Sequence, residues 1–340
     1  MQELISVIMP TYNRGYIISS AIDSVLSQTY KFWEFIIVDD GSTDETEHVI
    51  NEYRHDDRIK YFKLDRNHGA NYCRNYGAKN AKGRYLAFID SDVVWKNNKI
   101  ERQLNCLREN SDCDLVFCKT MLIKNNKAIE FPKRDEHHVL EPNSLKYGNF
   151  IDTNTVLIKK EIVLNCGGFD ENLPRLQEWE LFIRLIMKQT HKFFYMDEHL
   201  CDNYIQNDSI SMDSSKYNAA MDYIINKHND IFLSTDLNSF VKNNVNTDLS
   251  SFLSQNDKAY IYGAGYYGKF LKDYIKENYG VETAFVVTDS GTDETVLGIM
   301  QLDKSAPIII GVNKNLSEEI KETLINNGYN NWINGFEWNY

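Results

Sequence analysis

The stretch YLAFIDSDVVW, residues 85–95, decides the fold, because it runs apolar from Tyr85 to Ile89 and then sets two carboxylates one residue apart. A short continuous apolar run is typical of a strand buried in a parallel sheet. Side chains alternate along a strand, so Asp90 and Asp92 are expected to point to the same side. Ligands bind at the carboxyl ends of strands in open α/β sheets, and we therefore expect both acids at a ligand-binding edge.

The two carboxylates of this stretch repel each other unless a proton or a cation lies between them. Hard divalent ions such as Mg²⁺ are often held by one or two carboxylates together with the phosphates of a substrate. The pattern therefore favours a Mg²⁺ or Mn²⁺ ion that joins Asp90 and Asp92 to a phosphorylated ligand. The alternative is that the acids only cap a helix or face solvent, and the short motif alone favours this alternative, because such motifs recur by chance. The neighbouring motifs change the balance.

Two other polar segments follow apolar strands earlier in the chain. Residues 10–14, PTYNR, end the strand LISVIMP, and Asp39 and Asp40 end the strand FIIV. The alternation of strands and helices in the first hundred residues predicts a mainly parallel sheet with helices on both faces. The three polar strand ends then share one edge and predict one binding cleft. Ser42 and Glu45 fit a capping box for the following helix.

Composition and charge limit the function. The net charge of −12 argues against a general nucleic-acid-binding protein, which normally carries a basic patch. The six cysteines form no CxxC pair and indicate reduced thiols in a cytosolic protein. The sequence shows no basic leader and no apolar run of about 18 residues, so we expect a cytoplasmic protein, with peripheral contact at the inner face of the cell membrane left open.

The 340 residues predict more than one domain. In the middle of the chain, GNFIDTNTVLIKK alternates and favours a strand, and QEWELFIRLIMKQ has helical spacing. The strand-helix rhythm stops in a polar region and then restarts. We expect a first domain at 1–225, a helical and polar linker at 226–256, and a small Rossmann-like α/β domain at 257–340.

The small domain contains a glycine pattern. Gly263, Gly265 and Gly268 have GxGxxG spacing after a predicted strand and before a helix, and Asp289 ends the next strand, where a ribose-binding acid is expected. A dinucleotide such as NAD is one ligand that this pattern allows. The alternative is that the glycines only permit close strand-helix packing in a packing or homo-oligomerisation module.

The chain resembles the inverting nucleotide-sugar glycosyltransferases of family 2, which have the GT-A fold. The resemblance rests on four segments in the family's order: SVIMPTYNR, IIVDDGSTDET, NHGANYCRNYGAKNAKGRYLAFIDSDVVWKNNKIERQ and GGFDENLPRLQEWELFIRL. It covers residues 4 to 212, and motifs in series are more specific than any one alone. It implies metal-dependent transfer from a nucleotide-diphospho-sugar to a hydroxyl of a glycan or lipid-linked acceptor in surface polysaccharide biosynthesis.

The resemblance also implies roles for individual residues of the cleft. A nucleotide-sugar site is implied for Pro10, Thr11, Tyr12, Asn13, Asp39, Asp40, Arg74, Asp90 and Ser91. Asp40 would accept a hydrogen bond from the base, which fits the N–H of uracil and favours a UDP-sugar. Arg74 would lie near the diphosphate. Asp92 would bind the metal directly, with Asp90 beside it at the ribose or a water.

Two departures from the family pattern leave alternatives open. Val93 stands where the family often has a further acid, and Glu178 stands where the family usually has the aspartate that acts as catalytic base. Glu180 and Asp170 are rivals for the role of base, and Trp179 is expected in the core. These departures leave open, as an alternative to a transferase, a nucleotide-sugar-binding protein without activity. A third alternative, an NAD-linked function, rests on the glycines of the small domain.

Overall fold

The computed structural model describes most of the chain. It covers residues 2–124, 127–132, 138–145, 149–173, 175–188, 191–205, 214–228, 231, 245–256, 258–263, 266–287, 296–312 and 314–336. These residues divide into two compact units between Ala220 and Met221. Each unit has its own sheet and its own apolar core. None of the helices in these ranges is both long enough and apolar enough to span a lipid bilayer.

The first unit is built on a ten-stranded sheet. Its strands are β1 Ile5–Thr11, β2 Trp33–Asp39, β3 Ile59–Lys63, β4 Tyr85–Phe88, β5 Val93–Trp95, β6 Leu115–Lys124, β7 Lys127–Phe131, β8 His138–Val139, β9 Val156–Lys159 and β10 Phe193–Tyr204. They lie in the order β3-β2-β1-β4-β9-β6-β10-β5, with β7 on β6 and β8 on β10. The first four strands in that order pair in parallel, as the alternation of strands and helices predicts.

The register of the parallel strands brings their carboxyl ends together. All seven residues of β1 and all seven of β2 are buried, as expected for apolar strands covered on both faces. Thr11 pairs with Asp39, the last residue of each strand. The amide of Asp40 then donates to the carbonyl of Thr11 at 2.8 Å, and that of Ile89 to the carbonyl of Ile8 at 3.0 Å. The three polar strand ends therefore share one edge of the sheet.

Helices cover the sheet of the first unit. They are α1 Ile18–Leu26, α2 Thr46–Tyr53, α3 Ala70–Asn80, α4 Lys99–Glu109, α5 Lys160–Asn165 and α6 Gln177–Ile183, with a π-helical turn at Arg184–Lys188 after α6. A further helix, α7 Ser214–Lys227, contains the division between the two units. Helix α3 packs closely on β1, because a Cβ atom added at Gly77 would lie 2.5 Å from Cγ2 of Ile8. The short approach brings the polar residues of α3 close to the edge where β1 ends.

The direction of β9 differs from that of its neighbour β4. The strand pairs antiparallel with both β4 and β6. The start of an antiparallel strand lies at the same edge as the ends of parallel ones, so the segment before β9 lies beside the end of β4. Among the described residues of the predicted strand, Val156–Lys159 pair in the sheet, and Thr153–Thr155 forms a 3₁₀ turn instead.

The second unit contains a five-stranded parallel sheet. Its strands are β11 Ala259–Tyr262, β12 Thr283–Val287, β13 Val296–Gly298, β14 Ile308–Ile310 and β15 Trp332–Asn334, and its helices are α8 Leu249–Ser254, α9 Tyr266–Tyr279 and α10 Lys314–Asn326. The strand order is β13-β12-β11-β14-β15, which is the order of doubly wound sheets, and all four pairings are parallel.

The boundary between the units differs from the sequence-based expectation. Helix α7 continues through the expected boundary at residue 225. Within the expected linker, Val245 forms a β-bridge with Phe336 near the end of the chain. The later part of that linker therefore belongs to the second unit.

Candidate active site

Asp40 holds the loop that follows β3. Its two carboxylate oxygens accept the backbone amides of His68 and Gly69, each at 2.7 Å. Asp39 is fully buried and accepts the amide of Ser42 at 2.8 Å and the hydroxyl of Tyr61 at 2.6 Å. Both acids thus organise the backbone around the predicted nucleoside pocket. The base contact predicted for Asp40 would use a carboxylate lone pair that is not engaged by these two amides.

The segment after β1 forms a polar turn against the start of α2. Asn13 has a positive φ of 52° and accepts the amide of Thr43 at 2.9 Å, while its own amide donates to Oγ of Ser42 at 2.9 Å. The predicted capping box is therefore wrong, because Ser42 is engaged by Asn13. Asp44 caps the helix instead, through the amide of Thr46 at 3.0 Å.

The predicted nucleoside-pocket residues differ in accessibility. Pro10 and Thr11 are buried at the end of β1, and Ser91 is buried between the two acids of the motif. The side chain of Tyr12 is 43% exposed. Its ring is therefore accessible to a ligand at this edge, which the buried neighbours are not.

Arg74 lies in the centre of the cleft, with only 4% of its surface exposed. Its Nη2 donates to Oδ1 of Asp90 at 2.7 Å, and Asn154 donates to the other oxygen of Asp90 at 3.1 Å. Burial opposes the charge of Arg74, but the carboxylate of Asp90 outweighs it and raises the pKa of the guanidinium. Glu178 and Asp152 act in the same direction, so Arg74 lies in the field of three acids.

Asp92 is the acid of the motif that keeps its carboxylate available. Burial, and then the negative charge of Asp90, raise the pKa of Asp92 to about 7. A cation at this carboxylate would relieve both effects. Among the described residues no three acid, histidine or cysteine side chains converge as a metal site. Asp90 is bound by Arg74 and Asn154, so a divalent ion would be held by Asp92 and would need further oxygen ligands from a bound molecule.

Val93, which replaces an acid common in the family, has a structural role. It begins β5, is fully buried and belongs to the apolar core of the first unit. A carboxylate at this place would be desolvated without a partner.

Glu178 is in the first turn of α6 and interacts electrostatically with Arg74, Asp152 and Asp90. Burial raises the pKa of Glu178 to about 7, against the positive charge of Arg74 and with the negative charges of Asp152 and Asp90. Nδ2 of Asn149 donates to Oε1 of Glu178 at 3.2 Å. A carboxyl group with a pKa near neutral suits a general base.

The two rivals of Glu178 are engaged elsewhere. Glu180 is fully buried and accepts Nε and Nη2 of Arg184, each at 2.8 Å. Asp170 accepts the amide of Asn172 at 2.9 Å in an exposed turn. Trp179 is 3% exposed and donates to the carbonyl of Leu145 at 2.7 Å, which confirms the prediction that it lies in the core.

Several residues of the cleft have no counterpart in the sequence-based list. Asn149, Asp152 and Asn154 come from the segment before β9, which the alternation predicted as strand. Their polar side chains were compatible with an exposed strand face. Nothing in their spacing indicated that they meet Asp90 and Glu178.

The candidate ligand site of the second unit is only partly described. Gly263 has a φ of 109° at the end of β11, and a Cβ atom at Gly268 would lie 1.8 Å from the carbonyl oxygen of Gly263. These two glycines therefore permit close packing of α9 on β11. Gly265 and Asp289 lie outside the described residues, so dinucleotide binding here stays a prediction.

Comparison with known proteins gives the family. The model of the family described as "Glycosyl transferase family 2" matches residues 6–168. TuaG of Bacillus subtilis, a glycosyltransferase named for teichuronic acid biosynthesis, is 35% identical over 224 residues, which cover 64% of this chain and 84% of TuaG. The chain belongs to glycosyl transferase family 2.

Other relatives of this family 2 glycosyltransferase match over smaller shares of their length. The Escherichia coli UDP-Glc:alpha-D-GlcNAc-diphosphoundecaprenol beta-1,3-glucosyltransferase WfgD is 35% identical over 164 residues, 48% of this chain and 56% of WfgD. An uncharacterised glycosyltransferase of Rickettsia typhi is 35% identical over 189 residues, 54% of this chain and 58% of that protein.

Solved structures confirm the predicted fold class. TarS 1–349 of S. aureus, crystallised with UDP-GlcNAc, superposes on this family 2 glycosyltransferase with a TM-score of 0.56 and 20% identity, over 65% of each chain. The mannosyltransferase PcManGT of Pyrobaculum calidifontis, in complex with GDP-Man and Mn²⁺, gives a TM-score of 0.51 and 15% identity, over 67% of this chain and 64% of that one. The first unit therefore has the GT-A fold.

Proposed function

We propose that this glycosyltransferase moves a sugar from a UDP-sugar to a hydroxyl of a glycan or lipid-linked acceptor, with inversion, during assembly of a surface polysaccharide. The observation that carries the proposal is Arg74, a buried cation paired with the donor-side acid Asp90 and facing the acid Glu178. The names of TuaG and WfgD support a polysaccharide pathway, and the name of WfgD supports a lipid-linked acceptor. Such an acceptor would bring the chain to a membrane surface.

The donor side of the proposed site is formed by the ends of β1, β2 and β4. Tyr12 presents an exposed ring to the base, and Asp40 holds the loop at His68 that closes the pocket. Uridine is supported by the UDP-GlcNAc found in TarS, although PcManGT carries GDP-Man on the same fold. Arg74 offers positive charge to the diphosphate.

Asp92 is the residue that would hold a divalent ion. Such an ion, when bound, supplies Lewis-acid stabilisation to the diphosphate leaving group. Asp90 binds Arg74 and is proposed to contact the ribose or a water. Because Asp92 has a pKa of about 7, binding of the ion is expected to release protons at neutral pH.

Glu178 is proposed as the general base. The acceptor hydroxyl attacks the anomeric carbon from the face opposite the diphosphate, and Glu178 takes its proton. One displacement inverts the anomeric centre, so no covalent intermediate on the protein is involved. Among the acids near α6, Glu178 is supported over Glu180, whose carboxylate is bound by Arg184.

Two variants with a matched control test this assignment. Asp92→Asn and Glu178→Gln should each lower release of UDP from donor and acceptor by more than about a hundredfold. Only Asp92→Asn should also weaken donor binding in the presence of Mn²⁺ or Mg²⁺. Glu109→Gln, which changes an exposed acid at the end of α4, should behave as the wild type. Full activity in Glu178→Gln would contradict the base.

The donor is identified by thermal-shift measurements with UDP-, GDP- and TDP-sugars, with and without the ions. A ligand at a hundred times its Kd should add about 2.7 kcal/mol to the free energy of unfolding. The largest shift is expected with a UDP-sugar and metal. A melt that none of these donors shifts would sink the proposed function.

A further inference from the structure

The segment before β9 contacts two acids of the proposed site, Asp90 and Glu178. We propose that this segment, residues 149–154, positions both of them, with Asn154 orienting Asp90 and Asn149 orienting Glu178. The inference rests on the proposed function, because it assigns a task to these asparagines in the same site. It concerns positioning residues, since neither side chain is required to touch the substrate.

Asn154 contacts Asp90 twice. Its Oδ1 accepts the amide of Asp90 at 2.6 Å, and its Nδ2 donates to Oδ2 of Asp90 at 3.1 Å. Asn154 is 3% exposed, so both bonds are shielded from water. Together with the bond from Arg74 to Oδ1, they occupy both oxygens of Asp90 and leave one orientation of the carboxylate.

Asn149 makes the corresponding contact on the other side of the cleft. Its Nδ2 donates to Oε1 of Glu178 at 3.2 Å and to the carbonyl of Ile151 at 3.0 Å, and its Oδ1 accepts the amide of Ile151 at 3.1 Å. The local bonds to Ile151 fix the amide group in place. Glu178 is therefore held by a donor that is itself anchored.

Asp152 fixes the side chain of Asn154 within the segment. Its Oδ1 accepts both the amide of Asn154 at 2.9 Å and Nδ2 of Asn154 at 2.8 Å. The hydroxyl of Thr155 donates to the carbonyl of Asp152 at 2.6 Å. These hydrogen bonds lie within the segment or at its end. Two of them involve Asn154, whose side chain also reaches Asp90.

The segment is also attached to the core beneath it. Nε1 of Trp95 donates to the carbonyl of Asn154 at 3.1 Å, and Nε2 of Gln103 donates to the carbonyl of Thr155 at 2.6 Å. Sγ of Cys201 lies 3.4 Å from the carbonyl of Asn154. Strand β5, helix α4 and strand β10 therefore each fix the position from which Asn154 reaches the cleft.

An uncharged amide is the side chain that suits both places. It can donate to a carboxylate without changing the charge of the cleft. A carboxylate would repel Asp90 or Glu178, and a lysine would pair with Glu178 and lower its basicity. Glu178 already faces Arg74, Asp152 and Asp90, so its pKa depends on the charge at position 149.

The test uses three isosteric changes, Asn149→Asp, Asn154→Asp and the control Asn80→Asp. Asn80 is exposed at the end of α3, where its side chain bonds to the carbonyl of Tyr76. We expect Asn149→Asp to move the acidic limb of the pH profile of kcat upward by about one pH unit, with donor Kd unchanged. We expect Asn154→Asp to weaken donor binding about tenfold, with the pH limb of kcat in place.

A readout without turnover separates this inference from the proposed function. The titration of the Glu178 carboxyl is followed by ¹³C NMR in the unliganded protein, with Glu178→Gln to assign the signal, and Asn149→Asp should raise its midpoint. If Asn149→Asp and Asn154→Asp match Asn80→Asp in donor Kd, pH profile and NMR titration, the inference is overturned, whereas the proposed function stands as long as the wild type is active. Equal decreases in donor affinity, kcat and Tm in Asn149→Asp and Asn154→Asp would also overturn the inference. A wild type that binds and transfers nothing overturns the proposed function, and the NMR titration still decides whether Asn149 controls Glu178.

Discussion

Arg74 carries the positive charge of the cleft. It pairs with Asp90 at 2.7 Å and lies in the field of Glu178 and Asp152. Its Nε finds no hydrogen-bond partner among the described residues, although the atom is buried. A buried donor without a partner is costly, so an oxygen of a bound ligand or a water has a place to bind here.

Glu178 should make both activity and stability depend on pH. Because its pKa is raised to about 7, kcat should rise with pH through that value and then level off. A profile of kcat against pH without a limb near neutrality would contradict this. The profile is measured with saturating donor, metal and acceptor, so that it reports the bound enzyme.

The stability effect of the same carboxyl has the opposite sign. The folded pKa lies above the ordinary value of 4.5, so the contribution of Glu178 to stability is present below that value and is lost as pH rises through about 7. Relative to the wild type, Glu178→Gln should therefore gain about 2 kcal/mol at most between pH 5 and pH 8. Thermal melts of both proteins at several pH values measure it, and a constant difference would argue against a desolvated carboxyl.

Asp90, Asp92 and Glu178 could be proposed from the sequence, but Asp152 and the asparagines that bind these acids could not. Asp90 and Asp92 follow an apolar strand, so a local pattern indicated them, and the family resemblance indicated Glu178. Asn154 is 64 residues from Asp90 along the chain. Such a contact depends on the direction of β9, which local periodicity does not reveal.

At the scale of elements, helix α3 holds the loop that leads to Glu178. Asn75 accepts the amide of Phe169 at 2.8 Å and donates to its carbonyl at 2.9 Å. Asn71 donates to the carbonyls of Asp170 at 2.8 Å and Leu173 at 3.0 Å. Nothing in the sequence pattern indicated that α3 binds this loop. The loop therefore joins the donor side of the cleft to the start of α6.

Two adjacent glycines in this loop offer a matched pair of variants. Gly167 and Gly168 both have positive φ, 88° and 74°, but a Cβ atom at Gly168 would lie 2.3 Å from Oδ1 of Asn75, whereas none lies within 4 Å at Gly167. Gly168→Ala should lower the free energy of unfolding by about 1 to 3 kcal/mol more than Gly167→Ala. It should also lower kcat, because Asn75 and the start of α6 shift.

Denaturant unfolding and initial rates measure the two effects. Equal losses of stability in both alanine variants would show that backbone strain alone decides the cost. In that case the contact with Asn75 would not position the loop.

At the scale of the molecule, the structure has two units with separate sheets, whereas the sequence patterns predicted a first domain, a linker and a small Rossmann-like domain. The boundary between the units was harder to predict, because α7 has no break there. The polar residues near Val245 also have the composition of a linker. Long-range β-bridges leave no local signal in composition. The order β13-β12-β11-β14-β15 likewise follows from pairing between distant segments.

The glycines of the second unit provide a test of its packing. Gly268→Ala should destabilise that unit, because the new Cβ atom would overlap the carbonyl oxygen of Gly263 at 1.8 Å. Gly280→Ala is the control, since φ is 70° there and nothing lies within 4 Å. Limited proteolysis should cleave the segment between Ala259 and Phe336 faster in Gly268→Ala than in the control, with donor Kd unchanged. If Gly268→Ala resists proteolysis as well as the wild type does, the backbone adjusts to the new Cβ atom.

The change of strand direction at β9 has a consequence for how genes of this kind can recombine. Strands β3, β2, β1 and β4 come from residues before Ile89, and β9, β6, β10 and β5 from residues after it, so the chain crosses from one half of the sheet to the other within the acidic motif. The ladder between β4 and β9 consists of backbone bonds that many side chains tolerate. A gene crossover at this motif would exchange the half that carries Glu178 and keep the half that carries Asp40. Gln28 lies in the half before the motif, and its side chain donates to the carbonyl of Lys96 and accepts the amide of Ile100 in the other half. A chimera of that kind must therefore retain Gln28.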